Sequence, residues 1–236
     1  MKICGEFNFL GEGQYFIALD MPDKEFVIKF PKPLHPLYPL IFQKKGLKKW
    51  WSAHQRRAKY VKKAATANQI FRMLLQSKSI DVDKCFPPTV ILDEVDVVFE
   101  WEGRSNRYKG SAYLQRRVEV FDNPTPLDSF NWDAIIEIQH QLWRVGIGLG
   151  SSAEVWGPKN WSRAQNGEIR LADLSSLTQN KNRVNYLLDS TVVQTRRHRL
   201  EQCQPIRCQG KIDSYLVYMG KFLNKESLNK LWNAGF

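Results

Sequence analysis

The sequence predicts an α+β chain in two lobes: an N-terminal antiparallel sheet with one helix over residues 1–122, and a mainly helical part over 123–236. Three observations predict it. Apolar runs broken by glycine- and proline-bearing turns recur from Phe7 to Phe30 and from Thr89 to Val120, which is strand patterning. Between them, Val61, Ala64, Ala65, Asn68, Phe71, Leu74 and Leu75 repeat at i, i+3/i+4, which is helix patterning. Beyond Asn123-Pro124-Thr125-Pro126, where a boundary is expected, the periodicity is mostly helical.

In chain order, Phe7–Leu10, Tyr15–Leu19 and Phe26–Phe30 read as a meander with a turn at Gly11-Glu12-Gly13 and another at Pro22-Asp23. Pro31, Pro33, Pro36 and Pro39 exclude regular structure from the next stretch, a linker or surface insertion. A helix is expected over 52–76, with Asn68 and Gln69 midway along it. Lys44, Lys45, Lys48 and Lys49 precede this helix, and Arg56, Arg57, Lys59, Lys62 and Lys63 decorate its first turns, against the macrodipole. Thr89–Leu92, Val95–Trp101 and Ser111–Val120 read as strands, with a turn at 102–106. Asp133–Val145 carries Ile135, Ile138 and Leu142 on one helical face. Ile169–Ala172 is a short strand, and 183–202, 212–223 and 226–232 are helical.

Charge is distributed unevenly. The chain has 35 Lys+Arg against 24 Asp+Glu, a formal charge of +11 over 236 residues. From Phe26 to Ile80 there is no acidic residue and there are 13 basic ones, leaving 22 basic against 24 acidic elsewhere. Hydrophobic residues at 43% exclude a disordered basic tail. A locally basic face points to an anionic partner. No leader-like start is read and no apolar run reaches the roughly 18 residues of a membrane span, so a cytoplasmic chain with reduced cysteines is expected. Cys203, Cys208 and His198 match no common zinc spacing.

Four features then follow in one order. Gly11 and Gly13 flank a turn, Lys29 lies in a strand sixteen residues after Gly13, Asn160 stands in Pro158-Lys159-Asn160-Trp161, and Asp173 follows thirteen residues later in Leu171-Ala172-Asp173-Leu174-Ser175. Glycines let backbone N–H groups approach phosphate oxygens. A lysine neutralises phosphate charge, and an asparagine carbonyl with an aspartate carboxylate can hold Mg²⁺. Each feature also has a plain structural reading. Gly11 and Gly13 serve as hairpin glycines, Lys29 as a solvated strand lysine, Asn160 as a turn residue, and Asp173 as the cap of a helix starting at Ser175 or Ser176. Glu154 reads as a surface residue, and Trp50, Trp51, Trp156 and Trp161 as core or interface residues.

On these residues the chain resembles the protein-kinase-like superfamily, including aminoglycoside phosphotransferases and small bacterial kinase-like proteins, from about Phe7 to Leu177. The resemblance implies a two-lobed kinase-like fold and ATP and Mg as cofactors. It implies catalytic roles for Lys29 and Asp173, nucleotide binding by Gly11, Gly13, Lys29, Asn160 and Asp173, metal binding by Asn160 and Asp173, and an adenine-contacting hinge over 113–122. Two departures stand out. Val155 occupies the position of the catalytic aspartate, five residues before Asn160, and the acid-free stretch has no glutamate to pair with Lys29. The chain thus reads as an atypical phosphotransferase or a pseudokinase. Lys44, Lys45, Lys48, Lys49, Arg56, Arg57, Lys62 and Lys63 form a patch for a phosphorylated substrate, a membrane surface or nucleic acid, or a solvated face. A nucleic-acid- or anion-binding module working through 44–63 is the alternative reading, and a scaffold docking an acidic partner a third.

Overall fold

A computed structural model describes residues 7–12, 16–31, 62–101 and 103–235. The chain is α+β, and its residues divide into two compact units. The first holds Met1–Asn68 and Pro88–Arg117, the second Gln69–Pro87 and Val118–Phe236.

The first unit contains a five-stranded antiparallel sheet in the order β1-β2-β3-β5-β4. Its strands are β1 (Asn8–Glu12), β2 (Phe16–Asp20), β3 (Phe26–Pro31), β4 (Thr89–Trp101) and β5 (Arg104–Arg116). Period-two alternation sorts the side chains. Ile17, Leu19, Ile28, Phe30, Val95, Val97, Phe99 and Ala112 bury one face with Phe7. Phe30 stacks on Tyr108 at 4.5 Å and meets Phe99 edge-on at 5.0 Å. Full burial of a side chain of that size contributes roughly 1.5–3 kcal/mol. The residues between them, Ala18, Val27, Lys29, Tyr113 and Gln115, therefore share the opposite face, as the pairs Ala18↔Lys29, Lys29↔Tyr113 and Val27↔Gln115 require.

Two expectations for this sheet change. Asp93-Glu94 divides Thr89–Trp101 in sequence, yet the residues form one strand with a register irregularity between Leu92 and Val95. A bulge absorbs the acidic pair without ending the strand. Pairing continues to Trp101↔Arg104, so the turn takes two positions rather than five, with Gly103 at φ +68°.

The helix over 62–76 buries Ala64, Ala67, Ile70, Phe71 and Leu74. Its face is rotated from the expected one: Ala65 and Leu75 are exposed, and Ala67 and Ile70 replace them. The expected turns over 52–61 lie outside the described residues.

In the second unit, helix Trp132–Arg144 buries Ile135, Ile136, Ile138, Gln139, Leu142 and Trp143. The Asn131 side chain caps its start by accepting from Ala134 N–H. Its end is a Schellman turn. Gly146 takes φ +68°, its N–H donates to Trp143 O, and Ile147 N–H donates to Leu142 O. The second unit also holds two small sheets, β6 (Glu119–Val120)-β8 (Trp161–Arg163)-β9 (Ile169–Leu171) and β7 (Gly148–Leu149) with β10 (Leu177–Thr178). The single helix expected over 183–202 is two, Lys181–Leu187 and Ser190–Cys203. They are followed by Ile206–Gln209, Ile212–Phe222 and Lys225–Leu231.

Candidate functional site

The second unit brings Asn160 and Asp173 together through a hairpin. Strands β8 and β9 pair as Trp161↔Leu171, and Ala172 N–H donates to Asn160 O at 2.9 Å. Asn160 therefore stands directly before one strand and Asp173 just past the other. Asn160 adopts φ +67°, a left-handed conformation that asparagine tolerates better than most residues. Its Nδ2 donates to Asp173 Oδ2 at 3.1 Å and to Glu154 Oε1 at 2.6 Å. Asp173 is also a cap: its Oδ1 accepts from Ser175 N–H at 2.8 Å and caps the 3₁₀ turn Leu174–Ser176, which starts one residue before the expected position.

Glu154 corrects the sequence reading. It is not a surface residue: it is 3% exposed, inside the short helix Ser152–Val155. Two buried polar contacts fix the backbone there, and a third ties the adjoining Trp156 side chain to Leu187. Trp161 Nε1–H donates to Glu154 O at 2.8 Å, Gln139 Nε2–H to Val155 O at 3.4 Å, and Trp156 Nε1–H to Leu187 O at 2.7 Å. Trp156 and Trp161 are core residues, as their plain reading had it, and Val155 is buried too. Trp50 and Trp51 lie outside the described residues.

Burial, and then the Asp173 carboxylate nearby, push the Glu154 carboxyl up to about 8, against the weaker pull of the Ser176 hydroxyl and the Asn160 amide. Glu154 Oε2 and Ser176 Oγ are both buried without a hydrogen-bond partner, so the influence of Ser176 is best taken as electrostatic. At neutral pH Glu154 is mostly a neutral carboxylic acid.

In the first unit, Lys29 is half-buried on β3 and donates from Nζ to Gln115 Oε1 at 2.6 Å, and Gln115 in turn donates to Thr89 Oγ1 at 3.0 Å. A buried neutral amide is thus one partner of the lysine. Cross-strand register could have pointed to Gln115, which lies two residues from Tyr113, the partner of Lys29 on β5. Asn68 contacts Ser111 Oγ at 3.3 Å, and Gln69 is exposed. Gly11 lies within β1 and pairs with Ala18 on β2, while Gly13 lies outside the described residues. So do Lys44, Lys45, Lys48, Lys49, Arg56 and Arg57. Lys62 and Lys63 are exposed on the first described turn of their helix.

The donors at Asn160 and Asp173 suit a hard cation. Mg²⁺ is held by one or two carboxylates with nucleotide oxygens and water, rather than by an all-protein cage. Among the described residues no group of three His, Cys, Asp or Glu side chains could hold a metal. Cys203, Cys208 and His198 form no such group, and buried Cys208 instead contacts Asp128 Oδ1 at 3.6 Å. No helix among the described residues is long and apolar enough to cross a membrane.

No protein-family model matches the chain, and no curated protein matches it.

Proposed function

We propose that this chain is an atypical member of the protein-kinase-like superfamily, with that superfamily's two-lobed fold, and that it binds ATP-Mg. The observation that carries the reading is the Asn160–Asp173 contact at 3.1 Å, which joins the two residues the resemblance assigns to the metal. The place of Lys29 on the third strand of an antiparallel sheet supports it. Lys29 supplies positive charge to the phosphates, Gly11 and Gly13 supply close backbone approach, and Asn160 with Asp173 supplies oxygen donors. Mg²⁺, when bound, screens the phosphate charge that transfer must move.

Val155 offers no proton acceptor, and general-base assistance is worth about 10²–10⁴-fold in rate. Transfer to an acceptor hydroxyl is therefore slow or absent, and nucleotide binding is the property to measure. Wild-type protein heated with millimolar ATP-Mg melts at a higher temperature than without it, because a ligand that binds only the folded state stabilises it by about 2.7 kcal/mol at 100 times Kd. Lys29→Ala and Asp173→Ala each abolish the shift while keeping the unliganded fold. An unshifted wild-type melting curve sinks the reading.

A further inference from the structure

Glu154 has a place in the site that the resemblance does not assign. Its Oε1 and Asp173 Oδ2 both accept from the one Nδ2 of Asn160, at 2.6 and 3.1 Å. Turned over, the amide would lose both donations and set its carbonyl oxygen against the Asp173 carboxylate. Nδ2 is committed inward and Oδ1 remains as the acceptor of the amide. The Glu154 side chain is itself immobilised by burial, and its backbone carbonyl is tied to Trp161. A left-handed asparagine backbone, an unusual carrier for a functional side chain, is thereby given a defined side-chain orientation.

We propose that Glu154 is a positioning residue that orients the Asn160 amide so that its carbonyl oxygen is presented to a divalent cation held with Asp173. This inference rests on the ATP-Mg reading above. Glu154 acts through its acceptor oxygen and not as a ligand, since Oε1 is occupied by the amide and Oε2 is occluded from solvent. Residues that orient metal ligands typically contribute 10–100-fold to metal affinity.

The test uses the full chain with a non-hydrolysable ATP analogue and Mn²⁺ as a paramagnetic stand-in for Mg²⁺, with bound and free Mn²⁺ separated by electron paramagnetic resonance. Metal-free nucleotide affinity is measured in parallel. Glu154→Ala removes the acceptor and is expected to weaken Mn²⁺ by about tenfold or more without changing metal-free nucleotide affinity. Glu154→Gln keeps an oxygen at Oε1 and is expected to retain most of the Mn²⁺ affinity that the alanine variant loses. Circular dichroism checks each fold. Glu154→Leu, which fills the volume without an acceptor, carries the test should alanine at a buried position fail to fold.

Two outcomes overturn the inference while leaving nucleotide binding intact: unchanged Mn²⁺ affinity in the alanine or leucine variant, or a glutamine variant as weak as the alanine one, which would make Glu154 a direct ligand. Wild-type protein that takes up no Mn²⁺ with nucleotide overturns the ATP-Mg reading itself, and this inference with it.

Discussion

Burying the Glu154 carboxyl beside Asp173 costs less while the acid is protonated than once it ionises. The sign follows directly. Its ordinary value is 4.5 and its folded value is about 8, so the folded chain holds a proton that the unfolded chain releases between those values. Glu154 therefore favours the fold below about pH 4.5, and that contribution is lost as pH rises to about 8. Glu154→Gln mimics the neutral acid at every pH. In metal-free buffer, chemical denaturation at a series of pH values should show wild type losing stability against Glu154→Gln between pH 5 and 8, at a slope of at most about 1.4 kcal/mol per pH unit. Parallel profiles would mean that Glu154 titrates at its ordinary value. Sequence places Glu154 on the surface because a lone glutamate is almost always solvated, and the amide that contacts its buried carboxyl stands six residues on, in no local pattern. One signal was present, in that Glu154 is followed at once by Val155, Trp156 and Gly157. The thirteen-residue spacing grouped Asn160 with Asp173, and the β8–β9 hairpin brings the two side chains into contact. Gln115 was not legible, since its approach to Lys29 depends on a strand register that no local pattern encodes.

Among the elements, those with a long period were the ones the sequence could carry. Helix Trp132–Arg144 was expected over Asp133–Val145, and helix Ile212–Phe222 over 212–223, because several apolar residues repeat on one face of each. Strand β8 and helix Ser152–Val155 are three and four residues long, too short for any period to register. The break after Leu187 was missed although Leu188-Asp189-Ser190 carries cap-forming types, because no glycine or proline marks a stop between 183 and 202. The start of Trp132–Arg144 offers a separable test. Asn131 is exposed, and its side chain contributes a hydrogen bond to Ala134 N–H at 3.2 Å. Asn131→Ala should lower stability by about 1 kcal/mol, and Asn131→Gly by only a few tenths, since glycine still permits the cap conformation. Denaturation midpoints of the two variants check this. Equal losses in both would place the effect in the backbone rather than the cap.

For the whole molecule, the governing fact is where its charge of +11 resides. The acid-free stretch from Phe26 to Ile80 covers β3 and the helix over 62–76. It holds no glutamate or aspartate of its own, and on β3 Lys29 donates to Gln115. The same stretch concentrates positive charge into a fraction of the sequence. Local density and net charge make different demands on an anionic partner. Density lets several cations neutralise adjacent phosphates and release their counterions together, whereas net charge acts over long range and is screened within about 8–10 Å at ordinary ionic strength. Binding to a short DNA duplex across a salt series separates them, because log K falls by about 0.9 per decade of salt for each phosphate neutralised. Changing Lys48, Lys49, Arg56 and Arg57 to glutamate should flatten that slope and strip most of the affinity. The same four-fold reversal at Arg199, Arg207, Lys221 and Lys230, all exposed, produces the same net charge and should leave the slope largely intact. Equal loss in the two variants would assign the binding to net charge and remove the case for a dedicated basic face.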